Sequence, residues 1–165
     1  NVLADGLWKA GEFDPEYIVD LATLTGAIVV ALGNQITGMW SNDELLAGRL
    51  ERSAKACGEP MWRMPLNDQF RRYMTDTPFA DIRNGSSGGR AGSSNGAAAF
   101  LEFFVPTRNY EEDADKLPWV HLDIAGTAWG PGSKAGTERE NPFFKHGTSG
   151  VHVRTLYHLI TQNHE

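Results

Sequence analysis

The sequence predicts an α/β fold in which most of the sheet is parallel. Two apolar runs rich in β-branched residues, 17–22 and 119–125, are typical of strands that are covered on both faces. Each run contains an aspartate, Asp20 or Asp123, and each is followed by a turn of small residues that includes a glycine. Segments with helical spacing of apolar residues lie between the strands. This alternation is the pattern of an α/β domain.

Length, composition and charge indicate an ordered single domain and argue against nucleic-acid and membrane partners. The chain has 165 residues, enough for one domain with a sizeable core, and 41% hydrophobic content argues against disorder. A net charge of −6 without clustered Lys or Arg makes nucleic acid an improbable partner. Because no apolar run reaches about 18 residues, we expect no membrane partner either. The single cysteine, Cys57, favours a reducing compartment, so we expect a cytoplasmic location.

The first third of the chain predicts a helix, a strand and one ambiguous run. Residues 3–10 place apolar side chains on one helical stripe, which Gly11 ends. Residues 17–22 form the first strand. Residues 27–32 are apolar throughout, and for so short a run periodicity leaves both a buried helix and a strand open. Gly33 ends the run in either case.

The middle of the chain predicts two further helices. Residues 36–40 read as a strand, and residues 41–44 (Ser-Asn-Asp-Glu) start a helix, since an N-cap residue followed by acidic residues favours one. That helix should end near residues 58–60. Residues 61–65 then lead into a polar helix at about 67–74, and residues 79–82 predict a short strand.

The last part of the chain opens with a Gly/Ser-rich tract at 84–96. The tract runs directly into an apolar helix at 97–104, whereas a flexible linker seldom does so; we therefore favour an ordered loop beside a ligand. Residues 119–125 are the second clear strand. A long loop with Gly and Pro follows at 130–144, and a helix at 151–160 closes the chain.

No complete catalytic motif is present in the Gly/Ser tract. Its serines do not lie in a Gly-x-Ser-x-Gly turn between a strand and a helix, which argues against a serine hydrolase. No Gly-Lys-Ser/Thr follows its glycines, so it is not a P-loop. Phosphate binding by backbone N–H groups at the start of the next helix stays open as an alternative.

Metal binding within this sequence has weak support. His121 and Asp123 are two residues apart in a strand and share a face, so they could ligate an ion, but a satisfied polar network is the stronger interpretation. For Asp20 and Asp123 we expect that each accepts backbone N–H groups and fixes the adjoining turn, because a buried carboxylate needs partners. Four dispersed histidines are interpreted as surface or interface residues: His146, His152, His158 and His164.

A series of short motifs spans nearly the whole chain. The most specific are residues 20–27 (Asp-Leu-Ala-Thr-Leu-Thr-Gly-Ala) and 121–126 (His-Leu-Asp-Ile-Ala-Gly). Further motifs of the series lie, in chain order, at residues 2–5, 30–33, 62–66, 80–81, 97–101 and 147–150. In these motifs the chain resembles the C-terminal part of the catalytic domain of the leucyl aminopeptidase (cytosol aminopeptidase) family. The resemblance implies a mixed, mostly parallel sheet flanked by helices.

The resemblance also implies an activity. Members of the family are dinuclear metallo-aminopeptidases that release N-terminal residues, often leucine, from peptides, and they typically assemble as homo-hexamers. Two divalent ions, zinc or manganese, serve the reaction, and bicarbonate is a further cofactor candidate. Residues 1–165 are expected to be the C-terminal portion of a single catalytic domain, with the N-terminal domain and the metal-binding segment upstream.

The family's metal-binding motif, Asn-Thr-Asp-Ala-Glu-Gly-Arg, immediately precedes the segment that matches residues 2–5. We therefore expect no catalytic residue and no metal ligand within residues 1–165, and no activity from this segment alone. The alternative is a catalytically inactive fold or interaction module that lacks the metal site. A nucleic-acid or chaperone role finds no basic stripe to support it.

What the resemblance places in this chain is a substrate-binding wall. Leu24 would hold the peptide through its backbone carbonyl, and Gly26 through its N–H. Thr23, Ala125 and Ala128 would line the pocket for the first side chain. Ala128 is small where some members carry methionine, so the pocket is expected to accept bulkier residues. His152, Arg154 and the terminal helix are expected to meet neighbouring subunits.

Overall fold

The computed structural model describes residues 2–85, 90–111, 113–129 and 147–162. Residues 86–89 of the Gly/Ser tract and the predicted loop at 130–144 lie outside these ranges. The described residues form helices and strands that alternate along most of the chain. In order they are α1 (Val2–Ala10), β1 (Ile18–Ala22), α2 (Gly26–Leu32), β2 (Thr37–Ser41), α3 (Glu44–Cys57), β3 (Met61–Arg63), α4 (Asp68–Thr75), α5 (Ser93–Phe103), β4 (Trp119–Asp123) and α6 (Val153–Thr161).

The four strands form one mixed sheet in the order β1-β4-β2-β3. β1 and β4 are parallel, with Ala22 opposite Asp123, and β2 and β3 are also parallel. β2 and β4 are antiparallel, with Trp40 opposite His121. Because β1 and β4 run in the same direction, their carboxyl ends lie side by side. The predicted mixed, mostly parallel sheet is confirmed.

Helices cover both faces of this sheet. On one face, α3 and α6 pack on Met39, Val120 and Leu122. On the other face, α1 and α5 pack on Ile18 and Trp119, and a smaller cluster joins α2 and α5 to Trp40. Side chains alternate between the faces of a strand, so successive residues of β4 serve the two cores in turn. The whole of β4 is buried, as its apolar sequence predicted.

The ambiguous run at 27–32 is a helix, and its ends explain why. The Thr25 hydroxyl accepts a hydrogen bond from the Ile28 N–H and caps α2, while Gly33 ends it with φ 66° and ψ −145°, a conformation open to glycine. The next helix follows its sequence signals closely. Asp43 caps α3 through the Leu46 N–H, and Gly58 ends it in the left-handed conformation.

Three sequence expectations need correction. Residues 61–63, expected only to lead into a helix, form β3 along the edge of β2. The strand predicted at 79–82 does not form: these residues make bends, and Phe79 is 94% exposed, so its apolar pattern found no sheet edge to pair with. Helix α5 begins at Ser93 rather than at residue 97, so the second half of the Gly/Ser tract belongs to a helix.

None of the helices within the described ranges has both the length and the apolar character that crossing a bilayer requires.

Candidate functional site

The buried carboxylate of Asp123 joins the turns that follow β1 and β4. Its Oδ1 accepts the backbone N–H groups of Leu24 at 3.0 Å and Ala125 at 3.1 Å. Its Oδ2 accepts the Thr25 N–H at 3.1 Å and the Thr25 hydroxyl at 2.7 Å. Four donors therefore surround one carboxylate that is 1% exposed. The expectation that Asp123 accepts backbone N–H groups and fixes a turn is confirmed.

Through Asp123, the structure places the predicted wall residues on two adjacent turns. Thr23, Leu24 and Gly26 follow β1, and Ala125 and Ala128 follow β4. Thr23 and Gly26 are exposed, and the other three are partly exposed, while Asp123 behind them is buried. Gly26 is the first residue of α2, where backbone N–H groups have no partner within the helix. The five residues are thus in positions where their backbone or side chains can meet a ligand.

Two open cavities adjoin the turn between β1 and α2. One, of about 410 Å³, is lined by Leu24 together with Ala4, Met74 and Phe100. The other, of about 700 Å³, is lined by Gly26 together with Val30 and Arg90. Both are predominantly apolar, as small-ligand sites usually are. Thr23, Ala125 and Ala128 line neither of these two cavities.

The turn at 125–128 lies against the end of α2 at Gly126. A Cβ added to Gly126 would lie 2.2 Å from the Gly33 carbonyl oxygen, far inside van der Waals contact. Only glycine permits this approach of two backbones. The glycine of the 121–126 motif therefore has a packing role that fixes where the second turn sits relative to the first.

Asp20 has different partners from those expected. Its Oδ2 accepts the Trp119 Nε1–H at 2.7 Å, and its Oδ1 lies 2.6 Å from His121 Nδ1. The prediction that Asp20 holds a turn through backbone N–H groups was therefore wrong, because its neighbours on the same face of the parallel pair offer side-chain donors. The satisfied polar network predicted for His121 is confirmed only in part: Nδ1 meets Asp20 rather than Asp123, and the buried Nε2 has no hydrogen-bond partner among the described residues.

The helical half of the Gly/Ser tract contacts the turn between β1 and α2. Ser94 Oγ lies 2.8 Å from the Thr25 hydroxyl, and Asn95 Oδ1 accepts the Trp40 Nε1–H at 3.0 Å. The sequence analysis missed these contacts because it treated Ser94 and Asn95 as part of a loop. One signal was present for Thr25: a short polar residue just before an apolar run is a typical N-cap.

His152 is also placed differently from the expectation. It is fully buried and bonds Thr37, so it is neither a surface histidine nor able to meet another subunit directly. His158 is partly buried against Ser53. Arg154 is exposed and reaches Glu59. His146 and His164 lie outside the described residues.

The described residues do not fit a metal ion. Within the described ranges, no three His, Cys, Asp or Glu side chains come close enough to hold one. The two carboxylates at the strand ends are occupied, since both oxygens of Asp20 and both of Asp123 already have protein partners. What this part of the chain presents is oriented backbone groups and apolar surface.

Comparison with known proteins identifies the family. A profile of the "Cytosol aminopeptidase family, catalytic domain" matches residues 2–157. A probable cytosol aminopeptidase of Afipia carboxidovorans is 45% identical over 99% of this chain, and one of Prochlorococcus marinus is 44% identical over 98%. The chain spans only 29% of the length of each of these relatives.

A solved structure agrees with this assignment. The K354E mutant of tomato leucine aminopeptidase superposes on 98% of this chain with a TM-score of 0.78 and 35% identity, and the chain covers 27% of it. The profile match, the two relatives and this structure agree over nearly all of residues 1–165. The chain belongs to the cytosol aminopeptidase family and corresponds to part of its catalytic domain.

Proposed function

We propose that this chain forms the substrate-binding wall of a metal-dependent aminopeptidase that releases leucine and other apolar N-terminal residues from peptides. The observation that carries the proposal is the Asp123 carboxylate, which fixes two partly exposed turns side by side. A wall of this kind can orient an extended peptide by its backbone, because the turns are held from behind and need not rearrange on binding.

In this proposal the two turns have separate tasks. The Leu24 carbonyl accepts a backbone N–H of the substrate, and the Gly26 N–H donates to a backbone carbonyl. Thr23, Ala125 and Ala128 receive the first side chain. The small size of these three residues and their access to solvent favour an apolar side chain of some bulk.

The ligands for two divalent ions, zinc or manganese, are proposed to come from polypeptide that precedes this chain in the whole protein. The occupied carboxylates of Asp20 and Asp123 support this division, because neither has an oxygen left without a protein partner. Activation of the attacking water is therefore assigned to groups outside residues 1–165. Bicarbonate as a further cofactor, a homo-hexamer and a cytoplasmic location are proposed on the family assignment.

Hydrolysis of leucine p-nitroanilide by the whole protein tests the activity. We expect turnover with manganese or zinc and loss of turnover with EDTA. If metal-loaded protein hydrolyses no aminoacyl anilide, the alternative of an inactive fold or interaction module replaces this proposal.

An Ala128→Met variant tests the wall itself. The larger side chain should reduce kcat/KM for the phenylalanine anilide more than for the alanine anilide, because it fills space meant for the first side chain. Ala56→Met, on the exposed side of α3, is the matched control. Equal effects on both substrates would show that Ala128 does not line the pocket for the first side chain.

A further inference from the structure

A buried series of hydrogen bonds links the start of α6 to the turn after β4. His152 Nε2 lies 2.7 Å from Thr37 Oγ1, and Thr37 Oγ1 lies 2.8 Å from Thr127 Oγ1. None of these three residues is more than 1% exposed. Thr127 lies between Ala125 and Ala128, so the series ends inside the proposed pocket wall.

The other side of His152 is held by Glu59. The Glu59 Oε2 accepts the Thr155 hydroxyl at 2.7 Å and the Thr155 N–H at 3.0 Å. His152 Nδ1 lies 3.4 Å from the Thr155 hydroxyl and 4.0 Å from the carboxylate. Burial raises the pKa of Glu59, but the bonds from Thr155 and the charges of His152 and Arg154 together outweigh it, so the pKa lies below its ordinary value. Glu59 is therefore ionised at neutral pH.

An ionised Glu59 fixes the direction of the hydrogen bonds at Thr155. A carboxylate only accepts, so the Thr155 hydroxyl donates to Glu59, and its oxygen accepts from Nδ1–H of His152. His152 Nε2 and the Thr37 hydroxyl share the next hydrogen bond of the series. The Thr37 and Thr127 hydroxyls share the last one. Removing one member therefore takes a hydrogen bond away from each of its neighbours in the series.

The same wall is joined to the segment before α6 by Ser149. The Ser149 hydroxyl donates to the Thr127 carbonyl at 2.6 Å, and the Ser149 N–H donates to the Ala128 carbonyl at 2.9 Å. His152 has φ 64°, a left-handed conformation that is unfavourable for residues other than glycine. This strained conformation occurs at the residue whose ring reaches Thr37. Side chain and backbone of the turn thus both depend on the start of α6.

We propose that His152 is a positioning residue: through Thr37 and Thr127 it sets the shape of the turn at 125–128, and so the preference for the first side chain of the substrate. This inference rests on the proposed function. It assigns a specificity role to a buried residue at the other end of a three-member series of hydrogen bonds.

The test compares four variants of the whole protein in matched pairs. His152→Leu and Thr37→Val remove the two hydrogen-bonding groups at similar size, while His152→Gln and Thr37→Ser keep a group that can form the bond. We expect the first pair to lower the ratio of kcat/KM for leucine over alanine p-nitroanilide about fivefold, the effect of one net hydrogen bond. The second pair should stay within about twofold of wild type, within the usual spread for one such bond.

A second readout follows the turn without using activity. Hydrogen exchange of a peptide covering residues 124–129 should be faster in His152→Leu and Thr37→Val than in wild type, because the N–H groups of Thr127 and Ala128 bond within this turn. His158→Leu is the control on the same helix, since His158 bonds Ser53 and not the wall. It should change neither readout.

The outcomes separate two kinds of failure. An unchanged substrate ratio and unchanged exchange in both His152→Leu and Thr37→Val would overturn the positioning role. Equal losses in His152→Gln and His152→Leu would also overturn it, because the hydrogen bond would then not matter. A wild-type protein without peptidase activity but with the expected exchange pattern would reject the proposed function and the specificity role, while the link to the turn would stand.

Discussion

The carboxylate of Asp123 accepts four hydrogen bonds and is almost completely shielded from solvent. Such a group is sensitive to a change of one atom, because an amide in its place turns one acceptor into a donor. The neighbouring donors would then face a donor rather than a lone pair. Buried groups left without a partner cost far more than the average hydrogen bond contributes.

We therefore predict that Asp123→Asn destabilises the protein by about 2 kcal/mol. The physical reason is the opposition of the new amide to the N–H groups of Leu24, Thr25 or Ala125. The thermal unfolding midpoint of the whole protein measures it. Asp113→Asn, at an exposed position, is the control and should leave the midpoint unchanged. A midpoint equal to that of the control would contradict the role given to Asp123.

A second residue-scale prediction concerns Gly126. Gly126→Ala should displace the turn at 125–128, since the new Cβ would lie 2.2 Å from the Gly33 carbonyl oxygen and neither backbone can yield cheaply. We expect a lower unfolding midpoint and a marked loss of kcat/KM. Gly6→Ala is the matched control: nothing lies within 4 Å of its added Cβ, and alanine in a helix is favoured by about 1 kcal/mol over glycine. Wild-type activity in Gly126→Ala would refute the packing role.

Among the elements, α3 and α6 are joined at Glu59, just beyond the end of α3. Its carboxylate accepts from Thr155 in the first turn of α6 and meets Arg154 at 3.4 Å. Because these partners stabilise the ionised form, the folded protein holds the pKa of Glu59 below its ordinary value despite burial. The attachment of α6 to α3 should therefore weaken in acid.

The pH dependence follows from the sign of that shift. A group with a lowered pKa stabilises the fold fully above its unfolded pKa of about 4.3, and the contribution is lost as pH falls toward the folded value. Glu59→Gln should thus unfold at a lower temperature than wild type at pH 7, and the difference should shrink below about pH 4. Thermal midpoints between pH 7 and pH 3 measure this, with the exposed Glu44→Gln as control. A difference that does not change with pH would contradict it.

Elements with strong local signals were predictable from the sequence. The cap at Asp43 and the stop at Gly58 bound α3, and the apolar runs of β1 and β4 pair as expected. Elements that depend on a distant partner were not. Residues 61–63 are a strand because β2 offers an edge, whereas the apolar residues at 79–82 have no such edge. The same limit explains Asp20 and His152, whose partners come from strands remote in sequence.

For the whole molecule, the share of the relatives that the chain covers bears on activity. It spans 29% of the length of its curated relatives, and its described residues bring together no metal-binding group. We predict that a polypeptide limited to residues 1–165 has no aminopeptidase activity with manganese or zinc, while the whole protein is active. Leucine p-nitroanilide hydrolysis by both samples checks this. Metal-dependent turnover by the short polypeptide would show that our assignment of the metal ligands is wrong.

The link between Leu24 and Asp123 also has a consequence for the order of folding. The two residues are 99 positions apart, so their hydrogen bond forms only after a long stretch of chain has closed into a loop. During synthesis, the first turn emerges well before the carboxylate that holds it. We expect the turn after β1 to stay pliable until β4 has emerged and paired with β1, so that the proposed substrate-binding wall is completed late in synthesis.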